Sequence, residues 1–197
     1  MHITMDEGER RELDTLLRGI RAQVHSHPEL SNREFETTKL VQRHLAALGL
    51  EPVELGLPTG AAALLRGGRP GQTVGLRADL DALPVTEQTG APYGSENEGV
   101  MHACGHDVHT AVLMGALQEL NRSRDFEGTL LGLFQPGEEC NPGGASLVLA
   151  EEPFADYDVR AVVGEHVEPS LEVGTFGFRA GKYMASSDEL RFTVHGT

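Results

Sequence analysis

The chain has 197 residues, 39% hydrophobic and 23% charged, enough for one domain with a packed core and ordinary for a globular protein. Its 30 acidic side chains against 16 basic ones give a formal charge of -14 without an acidic block or tail, a field that repels phosphate backbones and argues against nucleic-acid binding. Residues 1–7 are acidic with no apolar stretch, and no apolar run is long enough to cross a bilayer, so neither a signal peptide nor a membrane span is expected and the reading is a cytoplasmic protein.

Leu13, Leu16, Leu17, Ile20 and Val24 recur at helical spacing and predict a first helix from about Glu7 to His25, ended near Pro28. Asn32 is the expected N-cap of a second helix whose apolar side is Phe35, Leu40, Val41, Leu45 and Leu48, with Gly49 where a terminating glycine belongs. The period then changes. Residues 61–66, 73–78, 129–134 and 160–163 are short apolar runs bounded by Gly and Pro, the pattern of buried strands. Between the second and third runs, Val108 to Leu120 predicts a buried helix, and a further helix over about 143–151 separates the third and fourth. Alternation of this kind predicts an α/β domain with a mainly parallel sheet flanked by helices. Past Gly174 the chain becomes turn-rich, and Leu190 to Val194 alternates like a half-exposed strand.

Residues 101–109 hold a thiol, three imidazoles and a carboxylate: His102, Cys104, His106, Asp107 and His109. Glu138 and Glu139 follow the third strand, Asp79 and Asp81 the second, and His166 the fourth. Ligands of open α/β sheets gather beyond the carboxyl ends of the strands, so these turns should share one edge. Sulfur, imidazole and carboxylate donors together suit zinc or a similar divalent first-row metal. Two adjacent carboxylates repel unless one is neutralised by a cation, which divides them into one ligand and one general base. Plainer readings stand beside these. Cys104 can be an inert thiol, the histidines caps of the following helix, Asp107 that helix's N-cap, the glutamates a solvated turn and His166 a structural histidine. His102 and His109 are weaker candidates, and His25, His27 and His44 are expected to face solvent. A thiolate nucleophile at Cys104 with His106 as its base is a further alternative, although a two-residue spacing within one turn makes that geometry awkward and leaves the glutamate pair unexplained. Cys140 reads as a small turn residue, and a disulfide between the two cysteines is not expected.

Three motifs in this order, residues 75–84 (GLRADLDALP), 102–107 (HACGHD) and 135–139 (QPGEE), together with 25–30 (HSHPEL), resemble the amidohydrolase branch of the aminoacylase and carboxypeptidase family, which includes hippurate hydrolases and hydrolases of indole-acetyl amino acid conjugates. The resemblance implies a di-metal exopeptidase-like catalytic domain holding two divalent ions (Zn, Mn, Co or Ni), with Cys104, His106, Glu139 and His166 as ligands and Cys104 bridging. It implies Glu138 as general base, Asp79 as an orienting aspartate, and Arg77 at the place where other branches carry a histidine ligand. The implied activity is hydrolysis of a small N-acyl amino acid to a carboxylate and a free amino acid, with N-acetyl-diaminopimelate and aminobenzoyl-glutamate as further substrates of the same class. Family members are about twice this length and form homodimers or larger homo-oligomers through an inserted dimerisation or lid domain. The resemblance therefore divides the chain into residues 1–185, the N-terminal part of the catalytic domain, and 186–197, the first strand of the insertion. His195 does not match the lid histidine. The last ligand and the lid then lie beyond residue 197, so a metal-binding chain inactive by itself is expected.

Overall fold

The computed structural model describes residues 5–184, 190 and 192–196, in two units, Met1–Val167 and Glu168–Thr197. The first begins with α1 (Glu7–Ser26), whose start is fixed by a capping box: the Asp6 carboxylate accepts from the Glu9 amide and the Glu9 carboxylate accepts from the Asp6 amide, both at 2.8 Å. Helix α2 (Phe35–Ala47) starts later than its sequence suggested, with Glu34 and not Asn32 at the cap. Asn32 instead takes a left-handed conformation, φ 61°, which asparagine tolerates better than most residues. At the other end the expectation holds: Gly49 adopts φ 67°, and the amides of Gly49 and Leu50 close back on the carbonyls of Ala46 and Leu45.

Five strands follow: β1 (Glu51–Val53), β2 (Ala61–Arg66), β3 (Arg69–Asp79), β4 (Glu127–Gln135) and β5 (Val159–Gly164), in sheet order β1-β2-β4-β3-β5. β3, β4 and β5 run parallel, while β2 is antiparallel to β4 and to β1, making the sheet mixed. A mainly parallel arrangement thus describes the strands that carry the candidate site. β1 has only three residues, one a proline, too few to show a period, and it sits at an edge where a missing amide is tolerated. Helix α3 (His106–Ser123) joins β3 to β4, and α4 (Gly144–Ala150) joins β4 to β5.

Both faces of the sheet are covered at β2 and β4. Along β2, Ala61, Ala63 and Leu65 join a cluster containing Ile20, Val41, Met114 and Leu117 from the first three helices, and Ala62 and Leu64 join a second with Leu131, Leu133 and Val148 of α4. α3 approaches closely because β4 carries glycine at position 132, where an added Cβ would stand 2.7 Å from the Leu117 side chain. β5 departs from its sequence expectation. Among the described residues it pairs with β3 alone and is an edge strand, and Val162 and Val163, which point to opposite faces, are both exposed. Among the described residues of the second unit no strand forms. The predicted strand at Leu190 to Val194 is absent from residues 190 and 192–194, while Arg191 and residues 186–189 of the supposed insertion lie outside the described residues.

The fully buried Leu117 bridges α3 and the sheet. Leu117→Ala is expected to cost about 2–5 kcal/mol, read as a lower denaturation midpoint at unchanged slope. A loss below about 1 kcal/mol would contradict this packing.

Candidate metal centre

In the parallel register, Asp79 of β3 lies beside Gln135 of β4, and Arg77 beside Gly164 of β5. The strands therefore end together, and the turns beyond them, 136–139 and 165–166, open on the edge where β3 delivers Asp79 and Asp81. The fourth contributor is the first turn of α3. Its cap is Gly105, at φ 89°, where a Cβ would come within 2.4 Å of Val167. Only glycine allows the chain to turn from Cys104 directly into a helix that starts at His106, two residues before the apolar run suggested.

His106 is buried at the centre. Its Nδ1 donates to the Asp81 carbonyl oxygen at 2.8 Å, and because a carbonyl only accepts, this fixes the tautomer and leaves the lone pair on Nε2. Among the described residues that Nε2 finds no hydrogen-bond partner. It lies 3.6 Å from Asp79 Oδ2, 3.7 Å from Glu139 Oε1 and 4.0 Å from Glu138 Oε2. Nδ1 also lies 3.3 Å from Asp81 Oδ1. Burial pushes the imidazole pKa down, but this contact with the Asp81 side chain and the charges of Asp79, Asp81 and Glu139 outweigh it and the net direction is up. The same negative field favours a cation.

His166 is fixed in the same way, Nδ1 donating to the Val167 carbonyl at 2.8 Å and Nε2 lying 3.4 Å from Cys104 Sγ. Cys104, His106 and His166 thus present one donor atom each within 4.8 Å of one another, as do His106, Glu138 and Glu139. All four predicted ligands and the predicted base come together, with His106 common to both groups. A divalent ion fits the donors present: the partnerless His106 Nε2 and the buried, partnerless Glu139 Oε1 face each other across a space with an imidazole on one side and carboxylates on the other.

Asp79 and His109 also meet His106, yet their atoms are engaged elsewhere. His109 Nε2 accepts from the Val167 amide at 3.0 Å, so its Nδ1 carries the hydrogen and donates to Asp79 Oδ1 at 2.6 Å. Asp79 Oδ2 takes an Arg77 guanidinium nitrogen at 2.7 Å, and Arg77 Nε donates to the Gln135 side chain. Burial raises the Asp79 pKa, but the His109 bond and the charges of His106 and Arg77 bring the balance below the ordinary value. Asp79 and Arg77 therefore form a brace beside the cluster.

The two glutamates differ. The Glu139 amide is tied to Asp81 Oδ2 at 2.8 Å, whereas the Glu138 side chain is the more exposed of the two, 40% against 21%. Burial and the charge of Glu139 raise the Glu138 pKa. Cys104 is pushed up to about 12 by burial and then by Glu139, Glu138 and Asp79. That is the reverse of nucleophile activation, and the imidazole beside its sulfur is His166, not His106.

Several residues carry more than the sequence suggested. Asp81 is buried; burial alone would raise its pKa, but donors from His106, Glu139 and Ser31 hold it down at about 2. His25 does not face solvent. It is buried, with Nδ1 2.8 Å from Asp107 Oδ2, which also takes Arg21 Nε at 3.1 Å. Asp107 is accordingly not the cap of α3 but sits in its first turn, where a carboxylate is favoured. His102 is buried and pushed down to about 4, chiefly by desolvation. His27 is exposed as expected and His44 is half-buried. Cys104 and Cys140 are both free thiols. The signal for Asp81 was available, since it follows the same strand end as Asp79; that for His25 was not, because its partner lies 82 residues away.

The model of peptidase family M20/M25/M40 matches residues 75–195. An N-acetyl-L-cysteine deacetylase of Bacillus subtilis is 42% identical over 93% of this chain and 44% of its own length. Thermostable carboxypeptidase 1 of Saccharolobus solfataricus is 42% identical over 94% of this chain and 48% of its own length. Among solved structures, the Bacillus subtilis YXEP protein, a dinuclear metal-binding peptidase of the M20 family, superposes with a TM-score of 0.79 at 42% identity, covering 83% of this chain and 45% of the other. The chain spans about half the length of the curated relatives it matches. Among the described residues no helix is long and apolar enough to cross a membrane.

His106→Ala is expected to reduce the metal retained after loading with Zn²⁺ and dialysis to background, and Cys104→Ala to lower it sharply, while His27→Ala retains the wild-type amount. Elemental analysis showing equal metal in His106→Ala and wild type would contradict the site.

Proposed function

The chain belongs to peptidase family M20/M25/M40, and from that premise we propose that the protein is a metal-dependent amidohydrolase that cleaves small N-acyl amino acids into a carboxylate and a free amino acid. The deacetylase and carboxypeptidase activities named for its relatives break the same kind of bond, an amide joining an acyl group to an amino acid with a free carboxylate. A short acyl group, acetyl in the first of these, is the favoured substrate, and hippurate-like aromatic acyl groups are the next to be tried.

The observation that carries the reading is the unequal pair after β4. Glu139 is anchored through its amide and turns a buried oxygen toward His106, while Glu138 stays more exposed, with its pKa raised. Cys104, His106, Glu139 and His166 would hold a pair of divalent ions, which would supply polarisation of the scissile carbonyl and acidification of water. Glu138 is left as the group that moves protons. It takes a proton from the attacking water as the new C–O bond forms, and delivers it to the amide nitrogen as the C–N bond breaks. Asp79 fixes His109 and shares His106's surroundings, so its role is orientation. His106 and His166, with their Nδ1 hydrogens committed to carbonyls, keep Nε2 available. Residues 186–197 are proposed as the beginning of an inserted dimerisation domain, with a homodimer as the working assembly.

In a form spanning the length of its relatives, Glu138→Gln is expected to retain metal and lose turnover of N-acetyl amino acids by about 10² to 10⁴, the usual scale for a general base. For residues 1–197 alone, metal binding without efficient turnover is expected. Amino-acid release from an N-acyl panel reads both, and near-normal kcat in the metal-loaded Glu138→Gln form would move the role to another residue.

A further inference from the structure

Glu34 is fully buried at the entrance of α2, far in sequence from the metal centre. As the residue at the helix cap it would ordinarily bind the first amides of α2, yet its side chain makes no capping bond. Glu29 satisfies those amides, accepting from Glu36 at 3.1 Å and from Thr37 at 2.8 Å. The Glu34 carboxyl instead places Oε1 between two amides from distant parts of the chain, Asn32 at 2.9 Å and Gly137 at 2.7 Å. Both donors are in left-handed conformations, φ 61° and 59°. Their contact is so close that a Cβ on Gly137 would stand 2.6 Å from Asn32 Oδ1.

We propose that Glu34 is a positioning residue for the Glu138–Glu139 turn, its carboxyl oxygen locking that turn against the segment before α2. The inference rests on the metal-centre reading above. Neighbouring residues of the same segment reach the same turn. Asn32 Nδ2 donates to Cys140 Sγ at 3.2 Å, and Ser31 Oγ donates at 2.7 Å to Asp81 Oδ2, the oxygen that also accepts the Glu139 amide. Glu138 and Glu139 are thus held from both sides, at Gly137 by Glu34 and at Glu139 by Asp81. Only an acceptor is required of Glu34. Burial raises its pKa against the pull of the amide donors, and glutamine, with the same shape and a carbonyl oxygen, can take both amides.

Groups that hold a metal ligand in place typically contribute 10–100-fold to metal affinity, and that is the loss expected for Glu34→Ala. Wild type, Glu34→Ala and Glu34→Gln are titrated with Co²⁺ alone, following the cysteine-to-cobalt charge-transfer and d–d absorption, below the unfolding transition of each variant as judged by circular dichroism. Glu34→Gln should bind within about threefold of wild type, because the acceptor is kept. Wild-type affinity in folded Glu34→Ala, or equal weakening in Ala and Gln, overturns the inference and leaves the metal centre standing. Absence of cobalt binding by wild type overturns the metal-centre reading and this inference with it. Should Glu34→Ala fail to fold, Gly137→Ala, whose Cβ would press on the Asn32 side chain and part the turn from the segment that Glu34 ties it to, must show the same loss; unchanged affinity there counts against the proposal equally.

Discussion

The bond from His106 Nδ1 to the Asp81 carbonyl is the constraint around which the carboxyl edge is organised. Once that hydrogen is committed, the remaining lone pair has one direction, toward Asp79, Glu138 and Glu139. Burying an imidazole nitrogen without a partner is costly, as is bringing three carboxylates within 4.0 Å of it. A cation held between His106 and Glu139, with Asp79 and Glu138 beside it, would relieve both costs at once. The surrounding structure keeps them from relaxing apart: Asp79 is held by His109 and Arg77, Glu139 by Asp81, and the turn below by Glu34.

The same economy explains why the site stands where parallel strands end. β3 and β4 are registered residue for residue up to Asp79 and Gln135, so side chains far apart in sequence emerge side by side. The helix that closes the crossover begins at the site and not before it, because Gly105 turns the chain within a single residue. His106 and His109 then share one helical face, His106 aimed at the acids and His109 braced against Asp79 and the Val167 amide.

Much of this was legible in the sequence. Four of the five strands and all four α-helices follow from period and punctuation, and the turns that carry the candidate ligands were placed together by the rule that ligands collect beyond strand ends. What escaped reading was contact between distant segments. His25 has the sequence setting of a solvent-facing histidine at a helix end, and only the fold brings it to Asp107. Asn32 resembles a cap, but it takes a left-handed conformation in which its amide meets the Glu34 carboxyl and its side chain packs against Gly137. β5 carries the apolar residues of an interior strand and nevertheless lies at the sheet edge, since period alone carries no information on neighbours.

The central claim is that Cys104, His106, Glu139 and His166 converge on metal. The most direct measurement is anomalous scattering at the zinc edge from crystals grown with Zn²⁺. Density is expected within ligand distance of the Cys104 sulfur and of Nε2 on both His106 and His166, about 2.3 Å and 2.0–2.1 Å respectively. Metal bound elsewhere on the chain, with these atoms left unliganded, would contradict it.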